Sequence, residues 1–445
     1  MQIISRSSRT AIAIVVVAGV LATAGCTSSP SPDAGAETLE VWTRSNVEDA
    51  MTYEAIFDAF TEKTGVDVNY TPVAEFDIQL QARASQRDLP DVFISDAGSM
   101  GQYVSQGYLL PVDRESLEGQ DQISDDTWSQ NLGLDGSYYG VPFSRQAAVV
   151  MIRKDWREAL GYEVPATWDE LSGLAEAFAT DDPDGNAADD TYGMVVAGTA
   201  QNGYIARWGN SYIWQAGGEI LESAGEGHYT SGMDSPEVET AMEWMRDQFC
   251  TPGVIAPNSI NLSTGEAPFF GEGTAGITLT GAYNISSNAA AIGDENLEVI
   301  PMPAGPESKT AFAEGENVFF GASSEKSEEQ MSLAAFLISP EAQEIGMTII
   351  EGTDGVNSKA VVRLPVNENV DVVEVTGDER WGVVADSYSD DSQAFPWNIN
   401  FIPYRQILAD GMNAIMADCG SDLPAGLAAI DLQFNDQLET DGLLP

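Results

Sequence analysis

Two rhythms of apolar residues alternate along the first hundred positions. Leu39-Glu40-Val41-Trp42-Thr43 has the pattern of a strand, and from Ala50 to Lys63 the apolar positions Ile56, Phe57 and Phe60 fall at helical spacing until Gly65 stops the run. Val66-Asp67-Val68-Asn69-Tyr70 alternates as a second strand, and Phe76 to Gln86 reads as a second helix. Pro90-Asp91-Val92-Phe93-Ile94 reads as a third strand, with Ser95-Asp96-Ala97-Gly98 at its carboxyl end. This β-α-β-α-β order predicts an α/β fold, a mostly parallel sheet flanked by helices. Ligands of such sheets bind beyond the carboxyl ends of the strands, where Thr43, Arg44, Ser45 and Asp96 fall.

Further along, Thr167 caps a helix from Trp168 to Phe178, and Pro236 to Phe249 forms an amphipathic helix. Glu328 to Leu337 and Pro340 to Met347 read as two successive helices. Gly411, Gly420 and Gly426 are expected to break the tail into short helical pieces ending near Leu438. A chain of 445 residues exceeds one ordinary core and implies two domains. Trp42, Trp168 and Trp244 lie inside periodic elements and read as core.

The start of the chain carries an address. Arg6 and Arg9 precede an apolar run from Ala11 to Ala22, too short for a comfortable membrane span, and Ala24-Gly25-Cys26 follows. Residues 1–25 therefore read as an export signal. The cysteine after Ala24-Gly25 resembles the lipobox of bacterial lipoproteins, although Thr23 stands where Leu is usual. That resemblance implies lipidation of Cys26 and a flexible tether over residues 26–36. Localisation at the outer face of the cell membrane follows.

The chain holds 70 acidic and 19 basic residues, a formal charge of −51. Such a field repels nucleic acid and anionic membrane surfaces, and it suits a salty external medium that screens self-repulsion. Apart from Cys26 there are two cysteines, Cys250 and Cys419, which outside the cytosol are compatible with one disulfide. The acidic run from Asp181 to Asp190 lacks EF-hand spacing and reads as a solvated loop.

Catalytic patterns are sparse. His228 is the one histidine and lies in a turn-like Gly-Glu-Gly-His-Tyr context, which argues against a histidine triad and leaves no multi-histidine zinc site. A Gly-x-x-x-x-Gly-Lys-Ser/Thr run and a Gly-x-Ser-x-Gly elbow are absent. No cofactor or metal is expected. A glycoside-active enzyme needs only two placed carboxylates and stays open as an alternative.

Several segments in order resemble the extracellular solute-binding proteins of ABC importers, in the large sugar-binding class that includes maltose-binding protein. They are 57–68, 89–92 with 103–111, 135–143 leading to 165–171, 270–277 with 281–283, and 301–306 leading to 336–341. Met151-Ile152-Arg153 departs from the Tyr-Asn usual before Lys154-Asp155. The resemblance implies a two-lobed periplasmic-binding-protein-like fold of type II, with the ligand between hinged lobes. Residues 37–143 would form lobe one, completed by 285–314; residues 144–284 would form lobe two, completed by 318–445. Phe143 and a Gly315-Glu316-Asn317 turn would mark hinge crossings. The implied function is capture of a sugar or oligosaccharide by a monomeric lipoprotein, without catalysis, for delivery to a membrane permease. A receptor for a polyamine or another non-sugar solute is the other alternative.

Sugars present hydroxyl edges and flat C–H faces, so a site for them needs polar partners and aromatic plates. By position, the candidates are Arg44, Asp96, Gln146, Trp214, Tyr283, Trp397 and Arg405. For Trp214 and Trp397, packing in a core or between lobes is the competing role.

Overall fold

The computed structural model describes residues 38–225, 227–263, 268–352 and 357–445. The export signal, Cys26 and the tether lie outside these residues. The expected opening is present as strand Leu39–Thr43, helix Val47–Thr64, strand Val68–Pro72, helix Phe76–Ser85 and strand Val92–Asp96. The first strand pairs in parallel with the other two. Helix Val47–Thr64 begins at Asn46, whose side chain accepts from the amides of Glu48 and Asp49 while the Asp49 carboxylate accepts from the Asn46 amide.

Two strands carry the chain between lobes. Val141–Ala147 and Ala311–Phe320 pair antiparallel, and Glu316–Phe320 continues antiparallel along Val92–Asp96. They complete a seven-stranded sheet. A second, four-stranded sheet runs in the order Leu297–Ile300, Val149–Arg153, Ala275–Thr280, Tyr192–Val195. Only its last pair is parallel. Both sheets are thus mixed rather than mostly parallel. In the seven-stranded sheet Ala311–Phe320, arriving from lobe two, runs against the βαβ strands, whereas Val141–Ala147, leaving lobe one, runs with them, so the two crossing strands pair antiparallel to each other.

The expected lobe boundaries need correction. Leu297–Ile300 pairs with Val149–Arg153, so the stretch leading to the second crossing belongs with the four-stranded sheet of lobe two. Helices Ser327–Leu337 and Pro340–Met347 pack on Val47–Thr64, so the stretch after that crossing completes lobe one. Gly315-Glu316-Asn317 is no turn: it lies inside the continuous strand Ala311–Phe320, at a register shift between Glu316 and Asn317. The chain passes there from lobe two into lobe one. Only the tail returns, where Ile402–Ala417 packs on Tyr204–Gln215 and Pro236–Cys250.

That tail is two long helices, Ile402–Ala417 and Leu423–Asp441, not a series of short ones. A Cβ on Gly411 would stand 2.4 Å from the Ile430 side chain, so this glycine lets the two helices approach closely. Gly426 likewise stays inside its helix, and of the three glycines only Gly420 falls in the connecting turn. Cys250 and Cys419 form a disulfide with Cα atoms 5.7 Å apart, tying the end of Pro236–Cys250 to that turn. Trp42 and Trp168 are buried, and Trp244 stacks on Trp168 with ring centres 4.8 Å apart. Among the described residues no helix is long and apolar enough to cross a membrane.

Candidate functional site

Strand ends from both lobes meet at their junction. Tyr192–Val195 and Ala275–Thr280 run parallel and deliver Ala197, Thr280 and Gly281 to the wall of a cleft of about 510 Å³, its open mouth included. Helix Tyr204–Gln215 turns Tyr204, Arg207 and Trp208 toward the same space, at the i, i+3, i+4 spacing of one helical face. The crossing strands add Phe312 and Glu314, which alternate onto one face, and Gln146, which stands opposite Glu314 in register. Tyr283 borders this cleft and also an adjoining recess of about 1700 Å³, open to solvent, that reaches Asn46, Lys359 and Arg363.

Arg207 is the electrostatic hub. Its Nη2 lies 2.9 Å from Asp96 Oδ2 and its Nη1 2.6 Å from Glu314 Oε2. Asp96 ends a lobe-one strand and Arg207 sits on a lobe-two helix, so the ion pair spans the junction. Asp96 Oδ1 also accepts from the Gly98 amide at 3.0 Å. Burial opposes the charge on Asp96, but Arg207, Arg44 and Arg405 outweigh it and hold the carboxyl well below the usual carboxylate range. Burial also opposes the charge on Arg207, where Asp96 and Glu314 prevail and raise its pKa. The Gln146 amide donates to Glu314 Oε1, and Gln146 Oε1 has no partner among the described residues.

A second knot lies beside the first. Glu316, 5% exposed, faces Arg44 at 3.6 Å and Arg363 at 3.7 Å, and accepts from the Tyr53 hydroxyl at 3.0 Å. Burial, reinforced by Glu316, pushes the Tyr53 phenol well above its usual pKa, so it stays a neutral donor. Arg363 lies over the Tyr283 ring at 5.5 Å.

Five of the seven residues singled out from the sequence, Arg44, Asp96, Gln146, Tyr283 and Arg405, come together around this junction. Trp214 does not: it lies seven residues beyond Arg207 on the same helix, roughly 10 Å further along the axis. It is 5% exposed, donates to Glu219 at 3.1 Å and packs behind Phe312, ring centres 6.4 Å apart. Trp397 is also 5% exposed and belongs to the apolar cluster of Trp42, Phe93, Met100 and Phe319, with Arg145 over its ring at 5.2 Å. Both tryptophans are buried against protein in this structure.

Arg207, Trp208, Glu314 and Arg363 were not singled out in the sequence. One signal for the arginines was present: in a chain with 19 basic residues, an arginine inside an otherwise apolar helical run such as Ile205-Ala206-Arg207-Trp208 is conspicuous. Glu314 had none, being one of 70 acids. No group of three or more His, Cys, Asp or Glu that could hold a metal ion occurs among the described residues.

Two α/β lobes joined by crossing strands, with a polar and aromatic cleft at the junction, have the architecture of a binding protein. A family model described as bacterial extracellular solute-binding protein matches residues 44–344, and the chain belongs to that family. It is 26% identical over 322 residues to the polygalacturonan/rhamnogalacturonan-binding protein YtcQ of Bacillus subtilis, covering 66% of this chain and 61% of that protein. It is 26% identical over 162 residues to the alpha-glucosides-binding periplasmic protein AglE of Rhizobium meliloti, 34% of each chain. The matches thus span less than two thirds of these relatives. Among solved structures, an ABC transporter solute-binding protein from Thermotoga lettingae bound with alpha-D-tagatose has a TM-score of 0.74 at 18% identity, covering 90% of this chain and 100% of that one. The GacH receptor of Streptomyces glaucescens, solved unliganded and with acarbose, has a TM-score of 0.74 at 19% identity over 91% and 99%. At that identity the likeness establishes the two-lobed fold.

Proposed function

We propose that this protein captures a sugar or oligosaccharide in the cleft between its lobes and delivers it unaltered to the permease of an ABC importer. It works as a monomer at the outer face of the cell membrane, tethered through lipidated Cys26. One observation carries the reading. Tyr204, Trp208, Tyr283 and Phe312 surround the same space as Gln146, Thr280, Arg207 and Glu314. That pairing of aromatic faces with hydrogen-bonding edges suits a sugar's flat C–H faces and its hydroxyls. The relatives named for polygalacturonan, alpha-glucosides and fructooligosaccharides support it. Domain closure on the crossing strands would sequester the ligand.

The cleft argues against the alternatives. A polyamine receptor needs uncompensated acids, and here Arg207 pairs with both Asp96 and Glu314 while Arg44 and Arg405 add positive charge near Asp96. A glycosidase needs a carboxyl kept protonated, whereas the arginines hold Asp96 ionised. The test is a thermal-shift screen of mono- and oligosaccharides in molar salt, with chromatography of the recovered sugar. Stabilisation by a carbohydrate that is recovered intact is the expected result. Stabilisation by a polyamine alone, or turnover of a glycoside, would overturn the reading.

A further inference from the structure

We propose that the captured sugar is a uronic acid or an oligosaccharide containing one, and that its carboxylate pairs with Arg405. This rests on the sugar-binding reading above and narrows it. The chain is poor in cations, with 19 basic residues against 70 acidic ones. Yet Arg44, Arg207, Arg363 and Arg405 converge on the lobe junction, where they meet three carboxylates, Asp96, Glu314 and Glu316.

Those carboxylates are already engaged. Asp96 and Glu314 both sit on Arg207, and Glu316 stands between Arg44 and Arg363. Arg405 alone of the four makes no side-chain ion pair or hydrogen bond among the described residues. It is nonetheless held in place. Its stem runs along Gly203, whose φ is +71° and where a Cβ would stand 2.6 Å from the Arg405 Cγ. A side chain at position 203 would displace it, so the backbone there is shaped around the arginine.

The charge is kept against resistance. Burial, and then the neighbouring Arg207, bring the Arg405 guanidinium down to about 10. No guanidinium nitrogen of Arg405 is among the sealed, unpartnered atoms, so its free donors keep contact with solvent. A neutral sugar hydroxyl accepts a hydrogen bond from an arginine but leaves its charge uncancelled. A carboxylate does both, through two parallel N–H···O bonds. One negative charge matches the one guanidinium of these four that lacks an ion pair, whereas the double charge of a phosphate would overfill a site that already holds three carboxylates. A uronic acid offers a ring face to the aromatic walls of the cleft and a carboxylate to Arg405, whose stem lies against Gly203, the residue before the cleft-lining Tyr204.

The experiment titrates the exported protein, at fixed ionic strength, with matched pairs: glucuronate and glucose, galacturonate and galactose, mannuronate and mannose, each as monomer and dimer. In at least one pair the acid is expected to bind about tenfold or more tightly than its neutral counterpart. Arg405→Gln should collapse that ratio toward one, while Arg405→Lys, which keeps the charge, retains part of it. Equal or tighter binding of the neutral members, a preference that persists in Arg405→Gln, or tighter binding of a sugar phosphate would overturn the assignment and leave the sugar reading intact. Binding of no sugar in any pair would overturn both.

Discussion

Arg207 is where the account is easiest to break. Replacing it with glutamine removes the one cation between Asp96 and Glu314 and leaves two carboxylates facing each other across the lobe junction. Truncating one partner of a fully buried pair costs about 3–5 kcal/mol. Here the side chains of Arg207, Asp96 and Glu314 are 22%, 13% and 23% exposed, so water relieves part of that, and roughly 2–4 kcal/mol is expected at pH 7. The pH dependence has a definite sign. The folded-state pKa of Asp96 is depressed, so its contribution is complete above the unfolded value near 3.8 and is lost as pH falls through the lower folded value. In Arg207→Gln the loss of that cation lets Asp96 take up its proton at higher pH, which relieves the repulsion. The gap between wild type and variant should therefore narrow as pH falls toward and below about 4. Urea unfolding at pH 7 and pH 4 measures it, and Glu314→Gln in the Arg207→Gln background should recover part of the loss. A cost under about 1 kcal/mol at pH 7, or a gap unchanged with pH, would refute the interlobe ion pair as a stabilising element.

Arg405→Gln should behave in the opposite way in the absence of ligand. It removes a half-buried charge that makes no ion pair, where burial and the neighbouring Arg207 outweigh the attraction of Asp96 and Glu314, so stability to urea should hold or rise, by up to about 1–3 kcal/mol; a loss above about 1 kcal/mol would contradict this. Trp397→Ala should cost about 3–5 kcal/mol of folding stability, as a buried aromatic in an apolar cluster, with little change in the affinity of the folded protein for its sugar. A large fall in affinity with stability unchanged would return Trp397 to the site. With a formal charge of −51, the melting temperature should climb as sodium chloride is raised from millimolar to molar, and a flat response would remove the case for a salty habitat.

The regions legible in the sequence are those where local pattern decides structure. The opening β-α-β-α-β unit, the helices at 168–180, 236–250, 327–337 and 340–347, and the strand-end placement of Arg44 and Asp96 all follow from periodicity and capping. What local pattern does not carry is partnership over distance. Glu314 and Gln146 meet because two strands 168 residues apart pair in register. Gly411 looked like a helix break because nothing nearby announces that Ile430 packs against it. The lobe boundaries shifted for the same reason: Gly315-Glu316-Asn317, which the resemblance implied as a hinge turn, is kept extended by cross-strand pairing. Trp214 and Trp397 are candidates by position, and no local pattern shows that both are buried in the folded chain.

The most direct test of the central claim is calorimetric titration of the best-stabilising carbohydrate into wild type and Tyr283→Ala, with chromatography of the sugar afterwards. Tyr283 is chosen because it borders both the cleft and the adjoining recess. One sugar bound per protein, recovered intact, with affinity at least about tenfold weaker in Tyr283→Ala, is the predicted result. Binding unaffected by Tyr283→Ala, cleavage of the sugar, or no heat from any carbohydrate that the screen can offer would contradict it.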